Sequence, residues 1–529
     1  MSKSIDRKYL PLLICTAIGV GIVLGGYLAG FSGKVPPKNI YRAKLNNLFN
    51  YIENDYIDEV NTDSIISVTV NSILANLDPH SVYIPKEEYA TVTENMKGEM
   101  VGIGVSFYKL KDTVSVIQVL PNSPSKLAGL LSGDRIVSAD EIDLTQAVIT
   151  SDSVTRLLKG DRNSTVNIKV KRYGVDSLLN FSLKRNTIPI KSVDASFMLT
   201  DKIAYIRINR FAESTSVEFK YAFESLKKNS PEAFVLDVRD NGGGFLKEAI
   251  AIIDEFLPNN TPILYTKNKK GLTKETLATN RSGFLEGEVY VLINEKSASA
   301  SEILAGAIQD NDRGQIVGRR SYGKGLVQRE MQLGDGSAVR LTVSRYYTPT
   351  GRSIQRPYAN GNKDYYNEYR KRYENGEFIE KDSIKVNDSL VFETPKGKKV
   401  YGGGGIVPDI FVAKDNANLD EDLEYMLKGG IFDRFIFDEL DKNRSYYNNL
   451  SLETFLAEEI VDDSFVERYN KYLKDLAFLY NFESRKEKLK RYLKSAMAQQ
   501  LFNTDVAVQL LSEDDKSLRA VISHFEKGK

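Results

Sequence analysis

Two strand–turn–helix crossings, each built on a run of small residues, constrain the fold of this chain more than any other feature. Ala233-Phe234-Val235-Leu236-Asp237-Val238 is a near-continuous apolar run, as a strand buried on both faces requires. Arg239-Asp240-Asn241-Gly242-Gly243-Gly244 follows and opens a helix over Phe245–Phe256. The same order recurs downstream, with a strand over Val289–Ile293, the turn Ser297-Ala298-Ser299-Ala300-Ser301-Glu302 and a helix over Ser301–Gln309. With a strand at Ile203–Ile208 and a helix at Ser216–Asn229, the block 187–357 predicts an α/β layer architecture.

The residues on either side predict further domains. Residues 93–186 form a small β-rich module. In it Gly102-Ile103-Gly104-Val105 opens one strand and Val114–Leu120 is the next. Asn122-Ser123-Pro124-Ser125 caps a short helix over Lys126–Leu131, and Gly133-Asp134-Arg135-Ile136-Val137 returns to a strand. A helix at Ser151–Lys159 and strands at Val166–Arg172 and Leu178–Leu183 complete it. This order resembles a PDZ domain, which implies Gly102, Ile103, Gly104 and Val105 as a loop for a terminal carboxylate. Successive loop N–H groups suit that anion, and the adjoining strand edge can take up an extended peptide. Ahead of the module, apolar positions from Leu45 to Leu77 have helical spacing and stop at Pro79. His80, in the turn that follows, reads as a loop histidine bonded within its own turn.

At the N-terminus, Lys3, Arg7 and Lys8 precede about 23 uncharged residues, Tyr9 to Phe31. At ~1.5 Å per residue that run can cross a bilayer. The basic flank puts the N-terminus in the cytoplasm and the bulk of the chain on the extracytoplasmic, periplasmic side. An uncleaved transmembrane anchor is favoured over a signal peptide because the run exceeds an h-region of about 7–15 residues.

Residue counts then narrow the chemistry. The net charge of +1 gives no reason to expect a nucleic-acid partner. The chain has two histidines, His80 and His524, and one cysteine, Cys15, inside the apolar run. A zinc protease needs a His or Cys cluster and a cysteine protease needs a soluble thiol, so neither fits. No metal or other cofactor is called for. If a nucleophile works here, lysine is the base left to it, and Lys324 follows Ser299 in Gly323-Lys324-Gly325-Leu326-Val327-Gln328. A free lysine, with a pKa of ~10.4, is protonated at neutral pH. Burial that brought it to ~7 would cost roughly 4–5 kcal/mol. Gln328, four residues on, can hold the neutral amine in line. At the serine turn the helix start offers the Ala300 N–H to a developing oxyanion, and the triple glycine offers Gly243, with Gly244 close behind. Ser299-Ala300-Ser301-Glu302 also fits a capping box, which needs no catalysis. Gly318 to Lys324 matches seven positions of a phosphate-binding P-loop, but Gly325 replaces its Ser/Thr and a strand pattern follows.

The order of PDZ-like module, Asp-Asn-Gly-Gly-Gly, Ser-Ala-Ser-Ala-Ser-Glu-Ile and Gly-Lys-Gly-Leu-Val-Gln resembles the carboxy-terminal processing (tail-specific) protease family. Leu77-Asp78-Pro79-His80-Ser81, Tyr347-Thr348-Pro349-Thr350-Gly351 and Gly405-Ile406-Val407-Pro408-Asp409-Ile410 add to the likeness. The resemblance implies a crotonase-like core, Ser299 as nucleophile, Lys324 as general base and Gln328 as its orienting partner. Ser299 is taken because the family's serine-to-lysine spacing fits it, with Ser297 and Ser301 as fallbacks. It also implies cleavage of proteins recognised by accessible C-termini, which we expect to be apolar.

The fold expected is therefore multidomain α/β. It comprises a stub and anchor (1–35), a helical segment (36–92), the PDZ-like domain (93–186), a protease core (187–414) and a helical C-terminal region (415–529). Residues 358–401, polar and rich in Tyr, Lys and Glu, read as a solvated surface excursion from the core. The C-terminal helices, such as Ser464–Tyr480 and Ser484–Leu501, suit packing on the core or on a second subunit, and His524 reads as a surface histidine. A homo-oligomer or a regulatory partner is compatible with that surface. Two rivals stand beside the protease: an inactive membrane-anchored PDZ scaffold that binds C-terminal tails, and an acyl-CoA enzyme on a related core.

Overall fold

The computed structural model describes residues 10–31, 40–110, 112–414, 418–478, 480 and 482–528. The chain forms two compact units, up to Ile73 and from Leu74 onward. The first holds the helices Leu10–Phe31 and Ile40–Asn54 and most of Thr62–Ala75. Lys3, Arg7, Lys8 and Tyr9 lie outside the described residues. The expected membrane span is met only as a helix: among the described residues, none is long and apolar enough to cross a membrane.

In the second unit, the predicted crossings build a six-stranded sheet. Its order is Val193–Met198, Ile203–Ile208, Ala233–Asp237, Glu288–Ile293, Gln315–Gly318, Ile410–Phe411, and every pair but the first is parallel. Helices Thr215–Lys227, Leu246–Ile253 and Ala300–Asp310 cover one face through Phe219, Phe223, Ile252 and Leu304. The other face is closed by the last helix, Lys516–Lys527, through Leu518, Val521 and Phe525. His524 on that helix is exposed, as expected, and its Nδ1 lies 3.0 Å from the Tyr290 hydroxyl.

A second sheet, antiparallel throughout, carries the lysine segment. Ala338–Tyr347 pairs with Leu326–Gln332, Val82–Ile84 and Pro262–Asn268. The PDZ-like module has its own core, including Val116, Ile136, Val154 and Ile168. Its strand Val105–Leu110 sits at the end of the sheet order. The first of its helices runs Pro124–Ala128, shorter than the pattern suggested, because Gly129 at φ 87° ends it in a left-handed cap. The C-terminal helices form another core around Phe432, Phe435, Tyr469 and Leu493. They also reach the PDZ-like module, where Tyr108 donates to Asp433 at 3.0 Å and Arg135 pairs with Asp441.

The stretch 358–401 is exposed over most of its length, as a surface excursion should be, and it is also anchored to the core by buried charges. Arg320, from the core, and Arg372, from the stretch itself, share the buried carboxylate of Glu377, with contacts of 2.6–2.8 Å. Arg372 also donates to the carbonyls of Arg320 and Ser321. Three buried charges satisfied in this way mark a docked element, since an unpaired buried charge costs several kcal/mol.

The turn after Tyr347 is held by one buried ion pair. Arg352 and Asp310, both fully buried, meet at 2.6 Å, and Arg352 also donates to Gln309 Oε1 and to the Tyr401 carbonyl, each at 2.8 Å. This pair fastens the C-terminal end of the serine helix to two later segments. Arg352→Ala would leave the buried Asp310 carboxylate without its counter-charge, held only by Thr350, so we predict a loss of about 3–5 kcal/mol in urea unfolding. A change below 1 kcal/mol would contradict that role.

Candidate active site

The serine turn separates its three hydroxyls cleanly. Ser297 is buried, and its Oγ donates to the Val238 carbonyl (2.7 Å) and accepts from the Asn294 N–H (3.0 Å). Ser301 is buried and donates to the Asn241 carbonyl (2.9 Å). Both hydroxyls therefore hold the turn together. Ser299 is only partly buried, and among the described residues its hydroxyl donates to no backbone carbonyl. The capping box of Ser299 and Glu302 is formed, and it places the Glu302 carboxylate on the Ser299 backbone N–H at 2.9 Å. Ser299 stands at φ 57°, ψ −112°, a region that side-chain-bearing residues avoid at a cost of ~1–3 kcal/mol. A strained turn from strand to helix lifts a nucleophile's oxygen clear of its neighbours.

Gly243 approaches this turn closely. A Cβ there would lie 2.7 Å from Ser299 Cβ and 3.0 Å from the Ala300 nitrogen, so only glycine fits. Its N–H donates to Asn241 Oδ1 at 2.8 Å. Among the described residues, the N–H groups of Ala300 and Gly244 have no acceptor.

Lys324 is brought to the same place. Tyr322 N–H donates to the Ser297 carbonyl at 2.9 Å, laying the lysine turn against the serine turn. Glu302, fully buried, accepts from Ser321 Oγ (2.5 Å), Gly323 N–H (2.6 Å), Lys324 N–H (2.8 Å) and Ser299 N–H (2.9 Å). Burial raises its carboxyl above the usual carboxylate range, and these four donors oppose the rise. The buried Tyr346 hydroxyl sits 2.7 Å from the Lys324 carbonyl and 3.2 Å from that of Ser299. One carboxylate and one phenol thus fasten both backbones together.

The Lys324 amine donates to Gln328 Oε1 at 2.8 Å. Lys324 precedes the strand Leu326–Gln332, and a register shift between Val327 and Gln328 adjusts the face on which Gln328 emerges. Burial lowers the amine's pKa, the positive charge of Arg340 lowers it further, and Glu302 and Asp78 oppose both. The turn at 78–81 completes the site. Asp78 accepts from the backbone of His80 (2.8 Å) and Ser81 (2.9 Å), so the own-turn reading of His80 holds for its backbone, whereas its ring leaves the turn and lies 2.7 Å from the Tyr365 hydroxyl. That reading missed the His80 carbonyl, which accepts the Gln328 side-chain N–H. Burial, followed by the Lys324 charge, pushes the His80 imidazole down to about 3, so it is neutral.

In the PDZ-like module, Gly104 has φ 78°, and a Cβ there would lie 2.2 Å from Ser123 Cβ. The carbonyls of Ile103 and Gly104 accept from Ser125 and Leu120, each at 3.0 Å. Among the described residues, no acceptor meets the N–H of Ile103 or Gly104. Gly102 ends one strand and Val105 opens the next.

Lys324 carries the pH dependence of this arrangement. Because its folded pKa lies below that of the free side chain, the unfolded chain binds the extra proton between the two values. Stability therefore rises with pH across that window, up to ~10.4. We predict that Lys324→Met raises the melting midpoint at neutral pH and flattens the alkaline rise. A variant that melts lower than wild type at pH 7 would contradict the burial of this amine.

Residues 202–361 match the model of peptidase family S41, 101–183 match the PDZ domain, and 423–503 match a family of unknown function. A carboxy-terminal-processing protease of Bartonella bacilliformis is 33% identical over 327 residues, covering 60% of this chain and 74% of the relative. The carboxy-terminal processing protease CtpB of Bacillus subtilis is 31% identical over 323 residues, covering 59% and 65%. A solved photosystem II D1 C-terminal processing protease aligns with a TM-score of 0.36 at 23% identity, over 69% of this chain and 85% of that one.

Proposed function

From the premise that the chain belongs to the carboxy-terminal processing serine proteases of peptidase family S41 and carries a PDZ domain, we propose that it cleaves polypeptides with a Ser299–Lys324 dyad. One observation carries the assignment. Of the three serines in the turn, Ser297 and Ser301 donate their hydroxyl protons to backbone carbonyls, while among the described residues Ser299 donates its own to none and stands on a strained turn. Neutral Lys324, held by Gln328, takes the Ser299 proton as its oxygen attacks the scissile carbonyl. Lysine then returns the proton to the leaving amine, and water, deprotonated by the same lysine, hydrolyses the acyl-enzyme. Ala300 N–H is one oxyanion donor. Gly243 is the second, and to serve it must exchange Asn241 for the substrate oxygen. Each donor is worth ~10²–10³ in rate.

The same proposal makes Gly102–Val105 the cradle of an apolar C-terminus, with the substrate chain added along Val105–Leu110. It describes the core as crotonase-like and keeps the division at 93, 187 and 415. Tethering through Leu10–Phe31 and an extracytoplasmic location belong to it as well, supported by the uncharged run behind Lys3, Arg7 and Lys8. A second copy or a regulatory partner would act on this assembly from outside.

The test pairs the full-length protein with its Ser299→Ala variant, each incubated with an unfolded reporter ending in an apolar or a charged C-terminus. We predict cleavage that requires Ser299 and favours the apolar tail by about tenfold or more. Equal cleavage by both proteins would refute the nucleophile. Binding of the apolar tail with no cleavage by either would favour the scaffold reading.

A further inference from the structure

Beyond residue 361, where the match to family S41 ends, the docked stretch reaches the candidate dyad through one file of hydrogen bonds. The short helix Asn362–Tyr366 grips the segment before the second sheet at three points. Asn362 donates to the Ala75 carbonyl at 2.8 Å, Tyr366 donates to the Pro79 carbonyl, and the Tyr365 hydroxyl lies 2.7 Å from His80 Nε2. Tyr365 is 2% exposed, and the Arg356 guanidinium is sandwiched between its ring and that of Tyr322, at 3.9 and 4.0 Å. From His80 the file runs on through its carbonyl to the Gln328 amide, and from Gln328 Oε1 to the Lys324 amine.

Each link has a direction. Gln355 Nε2 approaches the Tyr365 oxygen as a donor at 3.4 Å, which leaves the phenol proton for His80 Nε2. His80 Nε2 then accepts, and the neutral ring carries its proton on Nδ1. The Arg356 cation nearby disfavours a second proton on that ring. At the far end, a backbone carbonyl can only accept, so the Gln328 amide must turn its NH₂ toward His80 and its oxygen toward Lys324. If the His80 carbonyl shifted, the amide could flip and present N–H groups to an amine that is itself a donor.

We propose that Tyr365 is a positioning residue for the hydrolytic step: its hydroxyl locks the His80 ring, and thereby the His80 carbonyl, the Gln328 amide and the Lys324 amine. This rests on the reading of Ser299, Lys324 and Gln328 as the catalytic group. Tyr365 touches neither substrate nor reacting atoms and acts only through His80. The docked stretch is thereby part of the enzyme's working parts and not an ornament on its surface.

Tyr365→Phe removes one oxygen and keeps the ring that covers Arg356. In the full-length protein we predict that kcat falls about tenfold while KM stays within twofold, as expected when an interaction matters to the step and not to substrate binding. The chain has only two histidines, so ¹⁵N-histidine NMR reads His80 directly. Wild type should show a single Nδ1–H tautomer with Nε2 accepting, and Tyr365→Phe should show a mixture. A wild-type ring without that tautomer overturns the proposal before any variant is made. So does a folded Tyr365→Phe protein with kcat within twofold of wild type, one whose His80 signals do not move, or one in which KM changes as much as kcat. Failure of the underlying reading looks different: Ser299→Ala would still cleave, whatever Tyr365→Phe does.

Discussion

The site depends on a buried carboxylate that takes no part in bond making. Glu302 accepts four hydrogen bonds, from the serine turn, from the lysine turn at two backbone positions, and from Ser321. Ser321 in turn accepts from the Ile406 N–H at 2.7 Å, so the tie extends to the glycine-rich segment near 405. A carboxylate in this position costs several kcal/mol of desolvation unless donors surround it. That cost is the source of its specificity, because the four donors converge only when both turns are correctly closed.

The surrounding structure carries other costs of the same kind. Ser299 sits in a disfavoured backbone region, Lys324 is held where its charge is unwelcome, and Arg352 and Asp310 are buried whole. Each burden falls at one end of the serine helix or on the turn opposite it. The two-sided core sheet, closed on one face by aromatic side chains such as Phe219, Phe223 and Phe256 and on the other by the last helix, supplies the stability to bear them. Strain concentrated at a site and offset elsewhere is how a fold holds a reactive geometry.

Much of this was legible in the sequence where a residue's role follows from its neighbours along the chain. The apolar runs at 233 and 289 announced buried parallel strands, and the glycines at 242–244 announced a close backbone approach. What the sequence withheld was tertiary. Glu302 reads locally as a helix cap, and only the fold reveals that it also receives the turn 21 and 22 residues downstream. Local pattern does not separate Ser297, Ser299 and Ser301 in a string of small residues; the fold does, by setting backbone carbonyls opposite the hydroxyls of Ser297 and Ser301. His80 speaks through its carbonyl, an atom that every residue has, so no pattern could have singled it out. The stretch after residue 357 is mostly solvated, as its composition suggests, but its anchoring was hidden because Arg320, Arg372 and Glu377 satisfy one another only in three dimensions.

The most direct measurement is amide hydrogen exchange at Ser299, Gly323 and Lys324, compared between wild type and Glu302→Gln and read beside the acylation rate with a serine-directed phosphonate. A glutamine amide has one accepting oxygen where the carboxylate has two, so its NH₂ must face either the Gly323 N–H or those of Ser299 and Lys324, and the four-donor closure of the two turns is lost. The account predicts that the three amides lose protection together and that acylation slows at least a hundredfold while the rest of the core sheet stays protected. Three amides still protected, with acylation near the wild-type rate, would contradict it.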